Sequence, residues 1–412
     1  TRKGTLPVTS MDAQPEIGID IDPFSDNTVA DNAVADRDHV ALEAMLDDSH
    51  PRKVRAATWA REHLADPKLL ERDESCTFWE EGWMRLADAG AMGLLVDTEH
   101  GGRGLDLCST LLTLEGLGHG CRDDGLILAL SSQILTMQLT LQRFASTAQL
   151  DEWLPRLISG TAIGAFSMSE PGSGSDAYSL TTTATPTDGG YVLDGEKAWV
   201  TMAPVADVFI IFASTNLDAG RWGITAFLVP ADTPGLTVGP NRPKMGMRTT
   251  PFANVVLDGC AVPESARIGN EGAGASIFSA AMEPERGFLL IGGLGALERT
   301  LDDAIAYARE REQFGQPIGA FQAVSHAISE VKLGLESSRL LVYKAAALQQ
   351  RGTPSMLVAA LAKLATSEAS LRGALTNLEI QGARGYVSEY GVERDVRNAA
   401  GGVIYGGASG LS

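Results

Sequence analysis

Apolar residues recur at helical spacing over the first third of the chain. They give way to short apolar runs set off by turn residues, then return to helical spacing in the last third. The helical pattern is expected to begin at His39. Val54, Ala57, Trp59, Ala60 and Leu64 predict one amphipathic face, and Trp79, Trp83, Leu86 and Met92 a second. Gly101, Gly102 and Gly104 mark a loop, residues 111–117 and 127–144 resume helical spacing, and Gly160 ends the region. From Ala162 to about Ile268 the chain is rich in Val, Thr, Gly and Pro. Runs such as 208–213 and 224–229 are bounded by Asn, Asp, Gly and Pro, which predicts a β-domain, with turns at Pro234–Gly235 and Asp258–Gly259. Beyond a glycine-rich exit at 270–274, Leu294, Leu297, Leu301, Ile305 and Ala308 form one stripe. Residues 330–350 and 357–378 form two more, which predicts an antiparallel helical bundle. The expected fold class is therefore α+β and mostly α. An N-terminal helical domain spans 37–160, a middle β-domain 161–274 and a C-terminal helical bundle 275–412.

Charge changes this picture at the N-terminus. Residues 11–50 carry eleven Asp or Glu and a single base, Arg37. Residues 1–10, ahead of Met11, read as a tag remnant, and 11–36 is expected to be a mobile acidic tail. The formal net charge of −19 argues against nucleic acid as a partner. Four cysteines without CxxC spacing predict reduced thiols and a cytoplasmic protein, and six isolated histidines suggest no metal site. No apolar run reads as a membrane span.

Candidate chemistry centres on 166–176, where Gly172 and Gly174 stand among serines and Asp176 closes the stretch. Such a segment lets backbone N–H groups and hydroxyls approach a ligand closely, and Trp199 offers a flat apolar face downstream. By itself the stretch also reads as a hairpin with a glycine-rich turn. It lacks the third glycine of a dinucleotide fingerprint.

Together with residues 195–201, this stretch resembles the flavin signature of the acyl-CoA dehydrogenase family. Two further blocks resemble the family in the same order: 307–318 with Phe321 and Gln322, and 381–386 with Glu393, Arg394 and Arg397. The resemblance runs from about Trp79 to Ser412, where family members usually continue into a final helix. It implies a β-barrel-like middle domain, a C-terminal four-helix bundle, FAD as cofactor, and assembly as a homotetramer or homodimer. It implies α,β-dehydrogenation of an acyl thioester, with the flavin reoxidised by an electron-transfer flavoprotein. Carried over residue by residue, Met168 and Ser169 would meet the flavin pyrimidine edge and Ser175 the pyrophosphate. Trp199 would stack on the ring, and Thr201 would contact it. Arg311 and Phe314 would serve the adenosine half of a neighbouring subunit's cofactor, and Glu379 and Gly382 would lie at the flavin tail.

Two departures matter. Glu379 replaces the family's glutamine, which would set a carboxylate beside a diphosphate. The Tyr-Glu-Gly-Thr motif that carries the base in much of the family is here Tyr405, Gly406, Gly407 and Ala408. Glycine accepts no proton. In isovaleryl-type members the base stands at the start of the first helix of the C-terminal bundle, which places it on Glu285, followed by Arg286 as a substrate-binding residue. Glu285 also reads as a first-turn acid after Pro284, stabilising a helix dipole. Residues 205–216 and 267–274 look most like the prolyl-carrier-protein dehydrogenases of secondary metabolism, so the acyl group arrives on CoA or on a carrier protein. Two alternatives stay open: an oxidase or monooxygenase of the same family, and a non-catalytic flavoprotein that has lost its base.

Overall fold

The computed structural model describes residues 23–24 and 46–408. The first helices are α1 (Pro51–His63), α2 (Leu69–Ser75), α3 (Glu80–Asp88) and α4 (Leu107–Gly120). They are followed by α5 (Asp124–Ser132), a π-helical stretch Gln133–Gln138, α6 (Leu139–Phe144) and α7 (Thr147–Ile158). Side chains set their ends. Asp106 accepts from Ser109 N, Asp123 from Leu126 N, and Ser146 and Gln149 form a reciprocal capping box.

Eight strands follow: β1 (Gly164–Ser167), β2 (Thr183–Thr187), β3 (Gly190–Thr201), β4 (Val208–Ser214), β5 (Ile224–Pro230), β6 (Leu236–Val238), β7 (Phe252–Pro263) and β8 (Arg267–Ile268). They form one sheet in the order β6-β7-β3-β2-β4-β5-β8, with β1 parallel to β4. β4 is buried along its whole length, as its unbroken apolar run requires. Then come α8 (Gly274–Phe288), α9 (Ile291–Glu310), a small hairpin of β9 (Glu312–Gln313) and β10 (Gln316–Pro317), α10 (Gln322–Gln350), α11 (Met356–Gln381), α12 (Ala383–Tyr386) and α13 (Val392–Gly402). Leu294, Leu297, Leu301 and Ala308 are buried, as the α9 stripe predicts. The N-terminal helices share one core cluster with α8 to α11.

Several expectations are corrected. Residues 39–45 and most of the predicted tail lie outside the described residues. Phe24 does not behave as tail: it is buried, packs edge-on against Trp59 and lies beneath the Arg103 guanidinium. In α1, Val54 is exposed, whereas Lys53 is buried and ion-paired to Glu298 at 2.7 Å and Glu115 at 3.3 Å. A lysine can be buried when partners supply the opposite charge. Asp258–Gly259 is no turn, because it lies within β7, where pairing with β3 slips between Leu193 and Gly195 and Gly259 takes a φ of 60°. The segment 124–144 is long and apolar enough to cross a membrane, contrary to the reading of the sequence. It is 83% buried within the protein, as befits a core element.

Candidate active site

The glycine-serine stretch joins strands that do not pair with each other, since β1 pairs with β4 and β2 with β3, although within it Glu170 and Ser173 close a tight antiparallel turn. Glu170 organises it. Its carboxylate accepts from Thr181 N at 2.6 Å, Thr181 Oγ1 at 2.8 Å, Thr182 N at 3.0 Å and Thr182 Oγ1 at 2.5 Å. Lys197 Nζ donates to the same carboxylate at 2.8 Å and to the Met168 carbonyl at 3.2 Å. Ala198 N donates to Ser169 O at 2.9 Å. Burial by itself would raise the Glu170 carboxyl, but Lys197 and the hydroxyl and amide donors hold it down to about 2. Burial pushes Lys197 down to about 8, against the pull of Glu170.

This brace ties Met168 and Ser169 to the β3 segment that presents Trp199. Trp199 is 47% exposed and has a φ of 57°, at the point where β3–β7 pairing slips between Lys197 and Val200. Holding a bulky residue at positive φ is costly, and such strain collects at functional sites. Gly172 and Gly174 have ordinary φ values, and a Cβ at either would meet nothing within 4 Å. Neither packing nor backbone geometry demands glycine there, so a ligand lying close against the chain explains both. Ser175 is exposed beside them, Thr201 is half-buried at the end of β3, and Asp176 closes the loop by accepting from Ser179 Oγ at 2.6 Å.

Glu170 and Lys197 lie within the two flavin-signature blocks, and sequence reasoning missed their role as the brace. A signal for them was present. Tyr191, Leu193 and Lys197 share one face of β3 by the two-residue period, and a lysine on an inward face needs a buried carboxylate.

The second wall comes from α8. Ile277 shares a buried cluster with Met168, and Phe278 packs against Phe166, Phe212 and Tyr178. Ile277, Ala281 and Glu285 follow at four-residue spacing, so Glu285 lies on that face about 12 Å farther along. The dipole reading of Glu285 is corrected here. Pro284 is inside α8 rather than at its first position, and Glu285 stands in the last turn, where a helix disfavours negative charge. Proline cannot bond the Ala280 carbonyl one turn back, and Arg143 Nη1 donates to that oxygen instead, at 3.3 Å.

Glu283 is engaged elsewhere, accepting from Ser355 N at 3.1 Å and Ser355 Oγ at 2.5 Å at the start of α11. Glu285 accepts no hydrogen bond among the described residues. Burial lifts its carboxyl to about 7, opposed only by Arg286. A carboxylate poised there at neutral pH suits general-base work. Gly406 has a φ of 68°, and a Cβ on it would enter open space.

The remaining expected residues lie apart from these within one chain. Arg311 is exposed and pairs with no acid among the described residues. Phe314 is 94% exposed with a φ of 52°, touching Phe321 edge-on. Glu379 is exposed, and Gly382 takes φ 59° and ψ −134°, a conformation reserved for glycine.

Residues 52–161, 165–260 and 272–411 match, respectively, the N-terminal, middle and C-terminal domains of acyl-CoA dehydrogenase. The L-prolyl-[peptidyl-carrier protein] dehydrogenase of Pseudomonas fluorescens is 38% identical over 82% of this chain and 89% of its own. The human mitochondrial short-chain specific acyl-CoA dehydrogenase is 37% identical over 78% of both chains. Among solved structures, the prolyl acyl carrier protein oxidase AnaB superposes with a TM-score of 0.85 at 38% identity, covering 87% of this chain and 94% of its own. PigA with FAD and proline gives 0.84 at 36% identity, covering 88% and 95%. With all three domains matched in order around this site, the chain belongs to the acyl-CoA dehydrogenase family.

Proposed function

We propose that the protein is an FAD-dependent oxidoreductase that dehydrogenates an acyl thioester across its α,β-bond, with the acyl group delivered on a carrier protein. One observation carries the residue assignment: Gly406 stands where the usual base would be, while Glu285 is an unbonded, half-buried carboxyl at the alternative position. Names among the relatives support the carrier: prolyl-carrier-protein enzymes stand alongside CoA enzymes of similar identity.

The residues present fit the cofactor, because the open glycines and the half-exposed Trp199 leave a ledge for a flat ring beside Met168 and Ser169. FAD bound there supplies the acceptor for the β-hydride. Thr201 and Ser169 would hold its rim, and Ser175 its pyrophosphate. The chain's own part is proton chemistry and positioning. Glu285 takes the α-proton onto a carboxylate oxygen as the Cα–H bond breaks, and its partial desolvation keeps it basic enough to do so at neutral pH. Arg286 lies next along α8 to meet the thioester arm. Anaerobic mixing with matched CoA and carrier-protein thioesters tests the carrier. Faster flavin bleaching by the carrier-bound form is expected, and a clear preference for CoA would overturn that part of the reading.

A second reading concerns the electron acceptor. A relative bears the name oxidase, so oxygen is the competing route to an electron-transfer flavoprotein. Turnover-dependent oxygen consumption separates them.

Trp199→Ala should lower FAD retention on gel filtration by removing the stacking face. Unchanged occupancy would reduce residues 166–201 to a structural crossover. Arg311 and Phe314 would complete the cofactor site of a second copy. Holoprotein is therefore expected to run as a dimer or tetramer, and Arg311→Ala to lose FAD without unfolding. A monomer that holds FAD would remove that role.

A further inference from the structure

A cavity of about 50 Å³ lies between α5, α9, α11 and α13, and it adjoins both positions at which a base could stand. Leu289, one turn after Glu285 and donating to its carbonyl at 3.0 Å, lines one side. Tyr405, next to Gly406, lines another. Gly293 opens onto it, since a Cβ there would meet nothing within 4 Å. The volume has room for about three to five water-sized groups, which suits a small ring or a short branch and not a long chain.

The inner wall is charged. Asp124 is fully used, accepting from Arg299 Nη2 at 2.8 Å and Asn398 Nδ2 at 2.9 Å. Arg299 Nη1 is spent on the carbonyls of Gly118 and Cys121. Asp123, behind Asp124, accepts from Leu126 N and Thr249 Oγ1. Arg394 Nη2 donates to the Arg122 carbonyl at 2.7 Å, and the Arg122 guanidinium is held by Asp303.

Asp395 is different. It lines the cavity, its side chain is only 11% exposed, and it accepts no hydrogen bond among the described residues. Its nearest cation is Arg394 Nη2, at 3.7 Å. Burial raises its carboxyl and Asp124 adds to that, while Arg299, Arg394 and Arg122 oppose it without supplying a bond. Arg299 Nε and Arg394 Nε are buried close by without partners, so Asp395 is the cavity-lining carboxylate that no surrounding donor among the described residues engages. Ser370 Oγ, also on the wall, has no partner either.

We propose that this cavity receives the acyl group and that Asp395 is its specificity-determining residue, anchoring a protonated nitrogen on the acyl group and so selecting an aminoacyl thioester over a plain acyl one. This rests on the dehydrogenase reading for the site but is tested separately from it. Asp395 discriminates by charge, since an unsubstituted hydrocarbon would leave its carboxyl buried without a donor.

The experiment compares two unreactive probes on the FAD-loaded protein: prolyl-pantetheine amide and its carbocyclic counterpart, cyclopentanecarbonyl-pantetheine amide. Titration should show the prolyl probe binding about 10- to 100-fold more tightly, the range of one hydrogen bond to a charged group. Asp395→Asn should bind both probes alike. Equal binding by the unmodified protein, or a preference that survives in Asp395→Asn, overturns the proposal. The comparison on the unmodified protein needs no variant, so a folding defect in Asp395→Asn leaves it decisive. If the preference is present but neither corresponding thioester reduces the flavin, the dehydrogenase reading falls and the anchor stands. If both thioesters reduce it and the probes bind alike, the anchor falls and the dehydrogenase reading stands.

Discussion

Replacing Glu285 by Gln is expected to slow flavin reduction by a thioester substrate about 10²- to 10⁴-fold, while FAD content and oligomer size stay unchanged. The amide keeps the shape of the carboxylate and cannot take a proton. Burial lifts the Glu285 carboxyl from 4.5 to about 7. The base form therefore prevails only above that pH, and the unmodified protein's reduction rate should climb as pH rises through about 7 and then level off. The same shift has a cost in stability. Between about 4.5 and about 7 the folded state keeps a proton that the unfolded chain releases, so stability falls as pH rises across that window. Glu285→Gln removes this penalty, and its melting temperature should exceed that of the unmodified protein at pH 8 but not near pH 4. A rate loss coupled with a pH-dependent gain in stability marks a residue kept for chemistry. Glu283→Gln is the control. It weakens the contact with Ser355 at the start of α11 and should cost about 1 kcal/mol of stability while leaving the reaction intact. Near-normal reduction by Glu285→Gln together with a large loss in Glu283→Gln would reverse the assignment.

The largest effect on stability is expected from Glu170→Ala. It removes five donors' shared acceptor and strands the Lys197 ammonium, whose side chain is 0% exposed, without a counter-charge. Removing one member of a buried ion pair costs about 3–5 kcal/mol. A thermal or urea melt should register that loss, and FAD retention should fall with it, because Met168 and Ser169 are tied to β3 through the same contacts. Glu170 sits at about 2, below its ordinary 4.5, so its stabilisation is present above about 4.5 and is lost as pH falls toward 2. The acid limb of the stability profile should shrink in the variant. A Glu170→Ala protein as stable as its parent would mean that the crossover is held by packing alone.

Much of this arrangement was legible in the chain. The switch from helical spacing to short β-rich runs and back is visible at Ala162 and Ala275, because each periodicity is local. Gly172, Gly174 and Trp199 stood out for their chemistry, and Glu285 for its pairing with the missing acid at Gly406. What was not legible depends on distant partners. Lys53 is buried because Glu115 and Glu298 reach it from two other helices, and no spacing near Lys53 records that. The Asp124, Arg299 and Asn398 contacts span well over a hundred residues of chain. The glycine-serine stretch looked like a hairpin because its flanking runs are strands, and only the sheet order shows that they pair elsewhere. At Asp258–Gly259 a turn-forming pair serves as a bulge, because β3 and β7 are long enough to pass it.

The most direct test of the central claim is anaerobic mixing of oxidised holoprotein with an aminoacyl carrier-protein thioester, followed by the flavin's visible absorbance and the mass of the thioester. The account predicts that the flavin bleaches while the acyl group loses two hydrogens. It also predicts that α-deuteration slows the bleaching in the unmodified protein. Bleaching that leaves the acyl group unchanged, or a flavin that stays oxidised with every thioester offered, would contradict it.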